Sequence, residues 1–188
     1  MKTLAHLLVV SLLVGSASLA LADDDKFAAR LSGYNEVHFS AAPTPALRGA
    51  VSTPAKGSFR ARIDDRTHII HYDLSYEGLT GNVTQAHIHF GQRHTVGGIV
   101  VWLCQTGGTP APPAVTALTP TCPASGTVTG TITAAQVLQA AGQGIDGGEF
   151  DEVVTAIRAG RAYANVHSTL FTPGEIRGQI GEDRGHRH

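Results

Sequence analysis

The sequence predicts a mainly β fold, a Greek-key-like sandwich or barrel with a short helical excursion before a C-terminal hairpin. Three observations carry this. Short stretches alternate apolar with polar residues at the two-residue period of a strand, and glycine-bearing turn segments separate them. Only the region between about residues 133 and 160 shifts to helical spacing.

The elements follow in chain order. Residues 1–22, MKTLAHLLVVSLLVGSASLALA, have the form of a secretory signal: Lys2 gives the positive start, Leu7 to Leu13 the apolar stretch and Ala20-Leu21-Ala22 a small-x-small cleavage site. The mature domain is expected to span 23–181, with no further segment of membrane-spanning length, and 182–188 to form a charged, disordered tail. FRARI (59–63) alternates apolar and basic residues, and HIIHYDL (68–74) keeps Ile70, Tyr72 and Leu74 on one side. DDRT (64–67) lies between them as a hairpin turn. EGLTGN (77–82) is a second connection, and GGIVVWL (97–103) is a short apolar strand bounded by glycine. TAAQVLQAA (133–141), with Thr133 as its cap, and EFDEVVTAIRAG (149–160), with acids in the first turn and a closing glycine, read as two short helices. AYANVHS (162–168) and EIRGQI (175–180) flank TLFTPG as the final hairpin.

Composition excludes several classes of function. The chain has 188 residues, 42% hydrophobic and 15% charged, enough for one packed core. Loss of 1–22 removes one lysine and no acid, so 13 basic side chains face 15 acidic ones, a mature charge of −2. No basic block marks a nucleic-acid or anionic-membrane surface. Export to the periplasm or the exterior leaves Cys104 and Cys122 as the only two cysteines in an oxidising compartment, and they are expected to pair. Neither has a CxxC partner or a nearby histidine that would favour a thiol nucleophile or a metal ligand. There is no GxSxG elbow or phosphate-cradling glycine loop, and helix-dipole placement accounts for Glu149, Asp151 and Glu152.

AHIHFGQRH (86–94) gathers three of the ten histidines. In an extended strand His87 and His89 share one face while Ala86, Ile88 and Phe90 take the other, which should be the core side. The same alternation in AYANVHS sends Ala162, Ala164 and Val166 inward and leaves Tyr163, Asn165 and His167 together on the opposite face. Two readings stay open. The histidines are polar-face residues, hydrogen-bonded to neighbouring strands or covered by the helical excursion. Alternatively His87, His89 and His167 form a three-imidazole site for copper or zinc, with His94 in the following loop as a fourth ligand. In EIRGQI, Glu175, Arg177 and Gln179 point away from the core, which puts Arg177 near the same face.

FAARLSGYNEV near the mature start, LTGNVTQAHIHFG with GGIVVWLC, and AGRAYANVHSTLFTPGEIRGQI at the end together resemble the CHRD domain, named after chordin and found also as an exported single-domain form in bacteria. The resemblance spans about 27–181. It implies an extracellular β domain, immunoglobulin-like or barrel-like, acting as a binding or structural module toward an extracellular or periplasmic ligand. It does not imply an enzyme, and nothing in the chain transfers chordin's growth-factor partner to it. A weaker similarity is to the copper/zinc superoxide dismutases, through the His-x-His strand, the cysteine pair and Arg177. It implies the alternative of a mononuclear copper or zinc enzyme. The chain departs from that family in lacking a downstream histidine-rich zinc loop with an aspartate ligand.

Overall fold

A computed structural model of the chain describes residues 25–40 and 46–185. The expected signal segment, 1–22, lies outside the described residues, as do His186 and His188 of the tail. The strands are β1 (Asp25–Ser32), β2 (His38–Ser40), β3 (Ala46–Gly49), β4 (Lys56–Asp64), β5 (Ile69–Glu77), β6 (Val83–Phe90), β7 (Gly98–Gln105), β8 (Gly126–Ile132), β9 (Ala162–Ser168), β10 (Ile176–Gln179) and β11 (Gly181–Glu182). One helix, α1 (Phe150–Arg158), precedes β9.

Strand pairing is antiparallel in the order β7-β6-β9-β10-β1-β4-β5-β8, with β11 also on β1, and the sheet curls into a nearly closed barrel. The mainly β expectation holds, and β4, β5, β6, β7, β9 and β10 stand where strands were expected because the apolar alternation is the inner wall; β1, β2, β3, β8 and β11 were not read from the sequence. Phe59, Ile70, Leu74, Ile88, Leu103, Ile132 and Ile176 are fully buried in one core cluster. Each such side chain contributes about 1.5–3 kcal/mol by leaving water.

The two ends of the sheet, β7 and β8, meet at a seam with no ladder between them. At one end of the seam the connection leading into β8 is tied to β7 by the Cys104–Cys122 disulfide and by two hydrogen bonds, Gln105 N–H to the Pro120 carbonyl (2.9 Å) and Cys122 N–H to the Gln105 carbonyl (2.8 Å). The hydroxyl of Tyr72 on β5 crosses the interior to the Leu103 carbonyl on β7 (2.7 Å). Beyond β10 the paired backbone runs on to Glu182, opposite Phe27, and Asp183 N–H donates to the Lys26 carbonyl (2.8 Å).

The helical excursion is real but shorter than expected. α1 has its acids, Asp151 and Glu152, in the first turn and lays Phe150, Val153, Val154 and Ile157 into the barrel core. Gly160 follows in the left-handed region, φ 65°. The helix expected over 133–141 is a single 3₁₀ turn, Ala134–Gln136, with the Thr133–Gln136 capping box in place. It stops because the chain is captured by the open edge of β7: Leu138 N–H donates to the Val100 carbonyl (2.9 Å). A sheet edge with unpaired backbone groups outweighs a weak local helix preference.

Candidate metal centre

The site is built in rows across four strands, on the barrel's outer face. Trp102 (β7), His87 (β6), Asn165 (β9) and Arg177 (β10) stand opposite one another in one row. His89, Tyr163 and Gln179 stand in the next, and His167 lies two residues along β9 from Asn165. Register shifts between Ala86 and His87 and between Ile88 and His89 mark irregular pairing of β6 with β7 beside the site. The alternation read from the sequence is therefore correct: Ala86, Ile88, Ala162, Ala164 and Val166 enter the core, and the histidines do not.

The face opposite the core is itself covered. His87, His89 and His167 are 0%, 7% and 5% exposed, Asn165 and Arg177 are buried beside them, and Glu175 is fully buried too. The cover is not the helical excursion, whose apolar face is in the core. It consists of the loop 91–97, the β9–β10 loop and the segment Glu36–Val37.

Each loop holds its place through the site residues. The Arg177 guanidinium donates to the carbonyls of Thr95 (2.7 Å) and Gln92 (2.8 Å). It also lies 3.3 Å above the centre of the Tyr163 ring. On its other side Tyr163 stacks against His89, with centroids 4.7 Å apart. The Tyr163 hydroxyl accepts from Gly97 N–H (3.2 Å). Only glycine fits at 97, since a Cβ there would stand 1.8 Å from the Phe90 carbonyl oxygen. That close approach brings the Gly97 carbonyl to His89.

These carbonyls fix the chemistry of two rings. Nδ1–H of His89 donates to Gly97 O (2.9 Å), and Nδ1–H of His167 donates to Thr172 O (2.8 Å). A carbonyl can only accept, so both protons sit on Nδ1 and each neutral ring presents a bare lone pair at Nε2. Both lone pairs face Asn165 Oδ1, at 3.1 Å each, and His87 Nδ1 stands 3.1 Å from His167 Nε2. The histidines are held neutral. Burial, the largest cause, lowers His89 and His167 to about 4 and His87 well below its usual value, and the neighbouring imidazoles push His87 and His89 further down.

With the Asn165 oxygen turned inward, acceptors converge with at most the one proton of His87 between them, an arrangement that a cation would satisfy and that the turned-over amide would satisfy with its two N–H groups. One ligand atom from each histidine lies within 4.8 Å of the others. Two nitrogens on a tetrahedral Zn²⁺ stand about 3.4 Å apart, so the His87–His167 pair is near that spacing already. A backbone carbonyl behind the distal nitrogen is the usual support of a ligating imidazole.

Glu36 lies in FAARLSGYNEV, quoted above only for the family resemblance, and is the site residue that the sequence reading missed. It is 5% exposed. Oε1 accepts from Val37 N–H (2.9 Å), while Oε2 is buried with no hydrogen-bond partner among the described residues. Burial raises its pKa, opposed by the Val37 N–H, the Arg177 charge and the Asn165 amide. Room for it exists because residue 174 is glycine, with φ 135°. A Cβ there would lie 2.5 Å from Glu36 Oε2.

His94 does not join the cluster. It is exposed at the tip of loop 91–97, with φ 62°. Cys104 and Cys122 form the disulfide at the seam.

Residues 27–180 match the family model of the CHRD domain. No curated protein and no solved structure shows significant similarity to the chain.

Proposed function

The chain belongs to the CHRD domain family, and from that premise we propose that it is an exported binding or structural module whose His87, His89 and His167 hold one Cu²⁺ or Zn²⁺. CHRD domains are typically extracellular, and the Cys104–Cys122 bond fits an oxidising compartment. Among the described residues no helix is long and apolar enough to cross a membrane.

The observation that carries the metal reading is the pair of Nε2 lone pairs at His89 and His167. Both are fixed by backbone carbonyls and both are turned on the same oxygen. Imidazole suits copper and zinc, and copper stands highest among the divalent ions for such a donor set.

A mononuclear enzyme with Arg177 guiding an anionic substrate is the rival. Two carbonyl bonds and a ring contact engage the guanidinium in holding the lid, which favours a structural role for it. Protein purified without an affinity tag should bind Cu²⁺ or Zn²⁺ at one equivalent by metal analysis. The triple alanine variant of the histidines should lose binding while keeping its β circular dichroism. Equal binding by that variant, or none by the wild type, overturns the site. Stable, metal-loaded wild type with superoxide dismutation well above free metal, abolished in a folded Arg177→Ala variant, would favour the enzyme instead.

A further inference from the structure

Beside the histidines lies a pocket of about 270 Å³ whose wall includes His89, His167, Glu36, Tyr163, Asn165 and Arg177. Two of the three ligand rings therefore border a space that the protein leaves open. The volume is below the usual range for drug-sized ligands, so the occupant is a molecule of a few non-hydrogen atoms.

Glu36 supplies the second observation. It is the one carboxylate on this wall, it is nineteen-twentieths buried, and its Oε2 has no well-formed hydrogen bond among the described residues, with the Asn165 amide the nearest donor to act on it. A buried carboxylate oxygen without a donor is costly, and such groups call for a partner that the protein itself does not supply. Gly174 keeps that oxygen clear of backbone crowding. A donor in the pocket would complete that oxygen.

We propose that this pocket binds a small ligand pairing a metal-coordinating lone pair with an N–H or O–H, which coordinates the cation at its open position and donates to Glu36 Oε2. Water, small alcohols and azoles belong to this class. Simple anions without a hydrogen to give do not. The inference rests on the three-histidine reading and adds the class of molecule that reaches the cation.

Imidazole and azide separate the two classes, read by the visible band and electron paramagnetic resonance of the Cu²⁺-loaded protein. Both coordinate copper, but only imidazole carries an N–H for Glu36. In Glu36→Gln the acceptor loses its charge while Val37 N–H keeps a partner, so imidazole should bind about fivefold more weakly. Azide should bind equally or more tightly, since a like charge has gone. A merely structural Glu36 would move both in the same direction, and that result overturns the proposal. Val96→Trp, at the half-exposed wall of the pocket, gives a second check that does not depend on the folding of Glu36→Gln. It should weaken both ligands, and undiminished binding there also overturns the proposal. Bound copper that responds to neither ligand in the wild type overturns this inference alone. Absence of bound copper removes the three-histidine site and the inference with it.

Discussion

Three imidazoles buried neutral make folding sensitive to acid in a defined window. In the unfolded chain histidine takes up its proton near pH 6.5, whereas in the folded protein His89 and His167 do so only near 4 and His87 well below its usual value. Between those values the unfolded state binds more protons, so stability falls as pH falls. Metal-free protein should show a flat unfolding free energy above about pH 6.5. Below that it should decline toward pH 4 at about 1.4 kcal/mol per pH unit for each histidine. Urea melts of the wild type and of His167→Ala, compared across this range, give the slope. An unchanged slope in the variant would mean His167 is not one of the groups responsible. The identity of these residues was legible in the sequence because β6 and β9 are regular strands with strictly apolar inner faces. Glu36 was not, because it follows a single 3₁₀ turn, Gly33–Asn35, that has no period to read, and its neighbours at the site lie far along the chain.

Strands β4 to β7, β9 and β10 and the last helix followed from patterning, and the misreading at 133–141 shows where patterning stops. A helix preference is local, but the competitor was the unpaired edge of β7, which only the assembled sheet creates. Leu138 N–H on the Val100 carbonyl and the Gln143 side chain, which bonds Gly98 N–H (2.6 Å) and the Phe90 carbonyl (3.0 Å), together cover that edge. Leu138→Pro removes the donor and should cost about 1–2 kcal/mol in thermal or urea unfolding. It should also raise the tendency to aggregate, because β7 regains a free edge. An unaffected melting curve would show that the edge is protected by other contacts. The burial of the histidine face was hidden for a related reason. Arg177 reaches the loop carbonyls at Gln92 and Thr95 across more than 80 positions, and nothing in EIRGQI announces where its guanidinium will end.

At the scale of the whole molecule, the barrel is continuous through its hydrogen-bonded ladders everywhere except the β7–β8 seam, and the disulfide sits there. Closing its 18-residue separation removes about 3 kcal/mol of unfolded-state freedom in the chain-entropy model. Thiol-specific alkylation of unreduced protein should find neither cysteine, and the Cys104→Ser/Cys122→Ser variant should melt at a lower temperature. An unchanged midpoint would shift the closure of the seam onto its hydrogen bonds and Tyr72. The strand pair that bears the histidines lies immediately beside β7, so the same seam flanks the site. The loops clamped by Arg177 and Tyr163 have a consequence in time rather than in energy. A cation held on imidazoles that are at most 7% exposed would be reached only through the small pocket beside them or after the cover lifts, and a chelator too large for that pocket of about 270 Å³ would have to wait for the second event. Removal by such a chelator would then be set by the opening rate of the lid. Tight retention of metal by this domain would report slow escape as much as strong ligation, and loading would be fastest while the chain is still folding.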